Sequence, residues 1–197
     1  RDTYHLMMHP KKKKWYWFDG EWRKLETKRA KLRVALGKKK NFKIAIGKKY
    51  WWSVYGPTLI TEHGTFAFRM PSIFELKTAE QWYRMNKARN FTEFYQCLEM
   101  QGICMQNITY ADKNDTIFFI ANGKVPRRDP NYDWSKVMPG DTSATLWTEY
   151  LREDELAQNL NPACGYVYNT NNCIFSNTCE DNNNDPTLYP TSIGYDP

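Results

Sequence analysis

The chain has 197 residues, of which 41% are hydrophobic and 16% aromatic, a composition that excludes intrinsic disorder and supports a sizeable core. It contains no run of 18 apolar residues, so we expect no transmembrane helix. Its first residues lack an apolar stretch, so we expect any targeting segment to be absent or already removed. Charge is unevenly divided. Residues 1–52 hold 17 Lys and Arg against 4 Asp and Glu, whereas the remainder holds 11 against 18, for a net charge of +6.

The basic half raises the question of a polyanionic partner. Basic residues beside tryptophans such as Trp15 and Trp51 are one feature of nucleic-acid-binding proteins. However, Lys11–Lys14, Lys38–Lys40 and Lys48–Lys49 fall mostly between strand-like runs, where lysines also protect strand edges. No helix-turn-helix, zinc-finger or RNA-recognition motif accompanies them. We interpret these lysines as solvated surface and expect neither a nucleic-acid nor a membrane partner.

The first 70 residues predict a series of short strands. The stretch WYWFDGEWRKLE indicates a hairpin, because Asp19-Gly20 supplies a positive-φ turn between two aromatic arms. KLRVAL, FKIAI and YWWSVYG follow as further short strands separated by Lys and Gly turns. Gly56-Pro57 is predicted to end the series.

Two helices are predicted next. Thr78 is the expected N-cap of AEQWYRMNKA, and Asn90, with a glutamate three residues later, forms a capping box for FTEFYQCLEM. Apolar stripes at helical spacing, which include Trp82, Tyr83 and Phe94, are predicted to face the core rather than a pocket.

Strand patterns return in the second half. MQNITYADKNDTIFFIANGKVP predicts a hairpin, and LREDELAQ predicts a helical turn. The stretch NPACGYVYNTNN predicts a turn, then a strand at Tyr166–Tyr168 that ends in three asparagines. Strands, two helices and strands again predict an α+β fold in one domain. Its predicted parts are a strand-rich segment 1–70, a helical pair at 78–100, a hairpin and strand segment 105–175, and a polar tail 176–197.

The five cysteines show no metal-binding spacing. Cys97 and Cys104 lie in an apolar helical region and are expected to be buried thiols. Cys173 and Cys179 close a short polar loop, so we expect them to form a disulfide in an oxidising compartment. The odd count leaves at least one thiol outside any bridge within the chain.

No complete catalytic set is present. The three histidines, His5, His9 and His63, lie apart from any nucleophile motif, and no phosphate-binding glycine loop occurs. We interpret the histidines as solvent-facing or satisfied groups rather than metal ligands. If the chain is part of an enzyme, its nucleophile must come from elsewhere.

The order and spacing of the motifs resemble a known family. DGEW, the YGP turn, two helices, NITYADKNDTIFFIANGKVPRR and NPACGYVYNTNN together resemble the β-subunit of the penicillin acylase family, which includes the acyl-homoserine-lactone acylases, over roughly residues 1–182. The resemblance implies an N-terminal-nucleophile hydrolase with a four-layer αββα sandwich. In that family a precursor cleaves itself and exposes a nucleophile, here expected to be a serine, at the N-terminus of the β-subunit.

The same resemblance implies specific roles in this chain. Asn171 matches the asparagine that donates a side-chain N–H to the tetrahedral intermediate, the oxyanion-hole role. Asn172 is expected to hold its neighbour in place, and Asn169 to satisfy nearby backbone groups as an Asx turn. The nucleophile lies outside these residues, so we expect the chain alone to be inactive. Its implied partners are the α-subunit, the rest of the β-subunit and an N-acylated small molecule.

A structural calcium ion is a second implication of the resemblance. The matching positions are Asp2, the Trp134 carbonyl, and Asp181 or Asn182, all of which supply the oxygen ligands that calcium prefers. The alternative, that these are ordinary surface groups, stays open. Where many relatives have His-Gly-Pro, this chain has Tyr55-Gly56-Pro57.

The sequence thus predicts part of a periplasmic or secreted amidase that hydrolyses an N-acyl bond. The alternative is a protein that binds a ligand without catalysis: an acylase-like binding module, or a glycan or nucleic-acid binder that uses the basic half. An upstream nucleophile would favour the first reading, and salt-dependent binding of polyanions would favour the second.

Overall fold

A computed structural model of the chain describes residues 1–36 and 42–190. The strands are β1 (Asp2–His5), β2 (Trp15–Phe18), β3 (Glu21–Lys24), β4 (Glu26–Leu36), β5 (Phe42–Ser53), β6 (Gly56–Thr61), β7 (Gly64–Arg69), β8 (Met105–Ala111), β9 (Ile117–Gly123), β10 (Met138–Pro139) and β11 (Gln158–Leu160). The helices are α1 (Thr78–Lys87) and α2 (Phe91–Leu98). Many strands with one consecutive helix pair agree with the predicted α+β class.

The chain divides into two compact units. The first unit comprises Arg1–Met70 and Arg128–Trp147, and the second comprises Pro71–Arg127 and the described residues from Thr148 onward. The first unit holds a six-stranded sheet in the order β10-β1-β7-β6-β5-β4 and the separate β2–β3 hairpin. Only the β1–β10 pairing in that sheet is parallel among the described residues. The single-domain expectation stays a prediction.

The predicted β2–β3 hairpin is confirmed. Trp15 pairs with Lys24 and Phe18 with Glu21, in antiparallel register. The connecting Asp19-Gly20 has φ values of 47° and 85°, the left-handed backbone that aspartate and glycine tolerate in a two-residue turn.

The prediction of three short strands after this hairpin is wrong. FKIAI and YWWS belong to one continuous strand, β5, which pairs with β4 over eleven residues, and Val54 and Tyr55 form the turn that follows it. Lys48–Lys49 therefore lie within a strand and not in a turn, whereas Lys38–Lys40 fall outside the described residues. The strand continues through Gly47 because β4 pairs with it without interruption, with Lys31 opposite Gly47.

The β4–β5 pair extends beyond the rest of the sheet. Within the described part of the chain, β5 pairs with β6 only at Trp51–Ser53. On the two-stranded part, Leu32 faces Ile46 and Val34 faces Ile44, and these four side chains are 42–56% exposed. The apolar face of this hairpin is therefore open to solvent in the chain considered by itself.

The prediction that Gly56-Pro57 ends the strands is also wrong. Gly56 starts β6, which forms a further antiparallel hairpin with β7. Gly56 has a φ of 138°, a conformation that side chains rarely adopt, and it pairs with Ser53 across the tight β5–β6 turn. The glycine thus connects two strands of the same sheet.

Aromatic side chains form the core of the first unit. Tyr4 and Tyr55 are fully buried and stack with ring centroids 4.1 Å apart, while Phe18 meets Tyr55 edge-on. The Tyr55 hydroxyl donates to the Thr142 carbonyl at 2.7 Å, so the buried polar end is satisfied. The β2–β3 hairpin is joined to the main sheet by these contacts.

The second unit packs α1 and α2 against a sheet in the order β11-β9-β8. The predicted N-cap of α2 is confirmed, because the Asn90 side chain accepts from the Glu93 N–H at 2.9 Å. The reciprocal bond of a capping box is shifted by one residue: the Glu93 carboxylate accepts from the Arg89 N–H at 2.8 Å and not from the Asn90 N–H. Thr78 does not cap α1. Its hydroxyl donates to the Gly102 carbonyl at 2.6 Å instead, which ties the start of α1 to the segment before β8.

The core of the second unit confirms part of the predicted helix stripe. Phe94 is 8% exposed and packs in the core with residues of β8 and β9. Trp82 and Tyr83 are 41% and 65% exposed, so their prediction as core residues is wrong. On α1 it is Gln81 and Met85 that are buried, and the Gln81 side chain accepts from the Ile103 N–H at 2.8 Å.

Candidate functional site

The segment that carries the three asparagines is anchored at both ends but is not a strand. At its start, Asn161 pairs with Ile117 of β9 through its backbone N–H at 2.9 Å and its side-chain oxygen at 2.8 Å. Further on, the Tyr168 N–H donates to the Asn177 carbonyl at 2.8 Å. The predicted strand at Tyr166–Tyr168 is therefore wrong: its residues take part in no described sheet ladder, and both tyrosine rings are partly exposed.

A disulfide closes this segment into a loop. It joins Cys164 to Cys179, fifteen residues apart, so the expected Cys173–Cys179 pairing is wrong. A contact beside the bridge is consistent with this pairing. The Thr178 hydroxyl donates to the Tyr166 carbonyl at 2.8 Å and so holds the two ends of the loop together. We refer to residues 164–179 as the asparagine loop.

The thiols of Cys97 and Cys104 are not activated. Cys104 is buried and Cys97 is half-buried, and burial raises the pKa of both thiols. Cys97 lies on α2 and donates to the Glu93 carbonyl at 3.1 Å. A raised pKa keeps these sulfurs protonated at neutral pH, so neither has the thiolate character of a nucleophile.

Two of the three asparagine side chains are held by hydrogen bonds. Asn172 accepts from the Thr170 N–H at 2.8 Å and donates to the carbonyls of Cys173 and Ser176. Asn169 accepts from the Asn171 N–H at 3.3 Å, which is an Asx turn. These contacts shape the loop around Asn171 without using its side chain.

Asn171 differs from its neighbours. Its φ is 59°, in the left-handed region that asparagine tolerates better than most residues. Its side chain is exposed and has no hydrogen bond with any of the residues that the structure describes. Since the side chains of Asn169 and Asn172 are bound to the loop, Asn171 is the amide that is available to a ligand.

An Asn107–Asn169 contact links the asparagine loop to β8. Asn107 donates its side-chain N–H to the Asn169 side-chain oxygen at 3.2 Å. Asn107 also lines a cavity of about 300 Å³ between the helix pair and β8, whose wall includes Met85, Trp82 and Phe94. The prediction that Trp82 and Phe94 do not face a pocket is therefore wrong. The loop thus lies beside a cavity of mixed polar and apolar lining within the second unit.

The expected calcium ligands fall in both units. In the first unit, both carboxylate oxygens of buried Asp2 are engaged: Arg128 donates to them at 3.1 and 3.2 Å, and the Trp147 indole donates at 2.6 Å. The Trp134 ring faces the Arg128 guanidinium, and its indole N–H donates to the Asp129 carbonyl at 2.7 Å. The cationic Arg128 already balances the Asp2 charge, so this set does not fit a divalent cation at Asp2.

The other two expected ligands belong to the second unit. Asp181 and Asn182 lie in a short 3₁₀ turn, Glu180–Asn182, directly after the disulfide. Across residues 1–36 and 42–190, no three His, Cys, Asp or Glu side chains group in a way that could hold a metal ion. Asp2 is therefore a poor candidate for a calcium ligand, and the part of the prediction that concerns Asp181 and Asn182 stays untested.

Chelation tests the calcium prediction directly. We expect EDTA to leave the melting temperature of the protein unchanged, because Arg128 and not a metal ion balances the charge of Asp2. A bound metal would stabilise the folded state by mass action, so its removal would lower the melting temperature. Calorimetry with and without EDTA, together with elemental analysis for calcium, measures this. A lower melting temperature after chelation, with about one calcium bound per chain, would restore the metal site and exclude the Arg128 interpretation.

Comparison with known proteins decides the family. A sequence model of the family described as penicillin amidase matches residues 1–194. The chain belongs to the penicillin amidase family. The penicillin G acylase of Escherichia coli is 26% identical over 175 residues, which cover 87% of this chain and 20% of that protein. A thermostable penicillin G acylase from Alcaligenes faecalis matches in structure with a TM-score of 0.74 and 26% identity, over 97% of this chain and 33% of that chain.

These matches confirm the predicted penicillin amidase resemblance, the α+β class and the N-terminal-nucleophile hydrolase fold. Family membership supports an acylase or amidase role. The chain spans about a fifth of the length of the curated relative and a third of the structural one. The activity, substrate and partners of the whole penicillin amidase are therefore proposals. Neither helix within residues 1–36 and 42–190 has the length and apolarity needed to cross a bilayer.

The departure from the family's His-Gly-Pro has a structural explanation. Tyr55 is fully buried, and burial raises the pKa of its phenol to about 12. The residue is therefore neutral at physiological pH and acts as a core anchor of the first unit, and Gly56 preserves the turn that follows it. The tyrosine fills its site without adding a titratable group near neutrality.

Two asparagines that anchor the candidate site, Asn107 and Asn161, are not predicted from the sequence to contact the asparagine loop or its flanks. Both are asparagines next to apolar strand residues, which is an available signal, since amides are unfavourable in strands unless they have partners. Cys164 was missed as the bridge partner because a fifteen-residue spacing indicates no particular pairing.

Proposed function

We propose that this chain is part of an amidase that hydrolyses N-acyl bonds, with Asn171 as an oxyanion donor. The supporting observation is the exposed Asn171 amide, which has no hydrogen bond among the described residues, on a loop whose other two asparagines are engaged. Family membership supports the reaction class.

The proposed chemistry is acyl transfer to an N-terminal nucleophile that lies outside these residues. Its oxygen forms a bond to the substrate carbonyl carbon, and its proton passes to the nucleophile's own α-amine. The negative charge that develops on the carbonyl oxygen accepts a hydrogen bond from the Asn171 side-chain N–H. Collapse of this intermediate breaks the C–N bond, the amine leaves with the proton, and water then hydrolyses the acyl-enzyme.

A neutral amide suits this task. The described hydrogen-bond partners of the asparagines are amides, hydroxyls and backbone groups, and none of them is charged. A fixed dipole can stabilise the oxyanion without a counter-charge and without reorganisation during the reaction. Asn172, which is locked within the loop, supports the geometry.

The cavity beside Asn107 suggests the substrate class. Its wall combines Trp82, Met85, Phe94 and Ile108 with a few amide and hydroxyl groups, the mixture that is typical of sites for apolar ligands. We infer that it receives an apolar acyl group. The two relatives are named penicillin G acylases, which is consistent with an aromatic acyl group on the amide.

The remaining proposals concern the whole protein. The partners are an α-subunit and the rest of a β-subunit from the same self-cleaved precursor, and the location is periplasmic or secreted. The Cys164–Cys179 disulfide supports an oxidising compartment.

A panel of chromogenic anilides that differ only in the acyl group tests the function. We expect the full enzyme to hydrolyse phenylacetyl or medium-chain acyl anilides at least about tenfold faster, as kcat/KM, than the acetyl anilide, because burial of several methylene equivalents adds binding energy. Hydrolysis of none of the anilides, with salt-dependent retention of the protein on a polyanion column, would instead support a noncatalytic binding module.

A further inference from the structure

Asn107 occupies a rigid position. It lies in the middle of β8, where it pairs with Ala121 of β9 in a ladder that runs from Met105 to Ala111. Its neighbour Ile108 is 8% exposed and packs in the core of the second unit, which fixes the strand. Asn107 is thus held by regular structure, whereas the asparagine loop has no sheet ladder of its own.

One side-chain oxygen joins this strand to the proposed oxyanion donor. The Asn169 oxygen accepts from the Asn107 side chain at 3.2 Å and from the Asn171 backbone N–H at 3.3 Å. An amide oxygen has two lone pairs, so these two bonds use its full capacity. The Asx turn that holds Asn171 in its left-handed conformation is therefore tied to β8 through a single side chain.

We propose that Asn107 is a positioning residue for Asn171 and acts on it through Asn169. This inference rests on the proposed function of Asn171 as an oxyanion donor. Asn107 does not contact the reacting atoms. It sets the location of the Asx turn relative to the β8–β9 sheet, and with it the direction in which the Asn171 amide points. Small displacements of such a donor have large effects on rate, because its hydrogen bond must meet the oxyanion and not the ground-state carbonyl.

Substitutions of the two hydrogen-bonded amides, Asn107 and Asn169, test this in the full enzyme. Asn107→Asp keeps the shape of the side chain but replaces the donor with an acceptor that faces the Asn169 oxygen. We expect kcat to fall by about tenfold with KM changed less than about twofold, the effect of losing one hydrogen bond that acts in the transition state. Asn169→Ala should have the same effect. Asn169→Asp keeps an acceptor for both N–H groups but adds a charge that opposes the oxyanion, so it is used for the exchange measurement and not for turnover.

Two controls separate positioning from general structure. Gln106→Ala changes the exposed neighbour of Asn107 on the same strand and should leave kcat and the melting temperature unchanged. The double variant Asn107→Asp/Asn171→Gly should be no slower than Asn171→Gly alone, because Asn107 acts only through Asn171. If the fold-loss of kcat in the double variant equalled the product of the two single fold-losses, the proposal would be overturned.

Amide hydrogen exchange provides a readout that does not need turnover. In the full enzyme, Asn107→Asp should speed exchange of the Asn171 N–H, and Asn169→Asp should not. Unchanged exchange at Asn171 in Asn107→Asp would overturn the proposal even if kcat fell. If Asn171→Gly retained normal turnover, the proposed function itself would fail. If Asn171→Gly were impaired while Asn107→Asp turned over normally, the positioning role alone would fail.

Discussion

Removal of the Asn171 amide is expected to lower kcat of the full enzyme by about 10²- to 10³-fold, the loss measured for single oxyanion donors. The best variant is Asn171→Gly. Because Asn171 has a φ of 59°, glycine removes the side chain without strain, whereas alanine would add roughly 1–2 kcal/mol of left-handed backbone strain. Steady-state kinetics on an N-acyl anilide measure kcat, and thermal melting measures stability.

A matched control uses another left-handed residue. Asp115 has the same φ of 59° and lies in the exposed turn between β8 and β9. Asp115→Gly makes the same backbone change in the same unit and should leave kcat unchanged. Turnover within about threefold of wild type in Asn171→Gly would sink the oxyanion assignment, because no single donor of that kind is worth so little.

Loss of the Cys164–Cys179 bridge is expected to have the second large effect. A bridge between cysteines fifteen residues apart stabilises the folded state by about 3 kcal/mol, chiefly because it restricts the unfolded chain. The double variant Cys164→Ser/Cys179→Ser should lower the free energy of unfolding by that amount in a denaturant titration. It should also lower kcat, since the bridge closes the loop that carries Asn171.

Two further measurements check the bridge. Peptide mapping without reductant should yield a cross-linked Cys164–Cys179 peptide, and a Cys173–Cys179 peptide would contradict the assignment. Cys97→Ser is the matched control, because serine can still donate to the Glu93 carbonyl on α2. It should leave the unfolding free energy within about 1 kcal/mol of wild type. An equal loss in both variants would show that the bridge contributes nothing specific.

Local sequence rules predicted the elements that local chemistry determines. The Asp19-Gly20 turn and the Asn90 N-cap are confirmed because each depends on residues within a few positions of one another. Local sequence rules gave wrong predictions where a residue distant in sequence determines the structure. Gly47 did not end β5 because β4 supplies a continuous ladder, and Thr78 did not cap α1 because the Gly102 carbonyl takes its hydroxyl.

The site shows the same division. The motif resemblance pointed to Asn171, and nothing in the structure tests its chemical role, but the hydrogen bonds of Asn169 and Asn172 leave the Asn171 side chain available. The link from Asn107 joins residues 62 positions apart in sequence, so no local pattern could predict it. The Cys164–Cys179 pairing depends likewise on how the loop folds back at Thr178.

The most direct test of the central claim is the N-terminal sequence and intact mass of every polypeptide in a preparation that hydrolyses an N-acyl anilide. If the protein is an N-terminal-nucleophile amidase, we expect a polypeptide that begins with serine, threonine or cysteine and carries a free α-amine. This polypeptide should either include the present chain or accompany it. Hydrolysis by a preparation in which no polypeptide has such an N-terminus would contradict an N-terminal-nucleophile amidase and, with it, the role of Asn171.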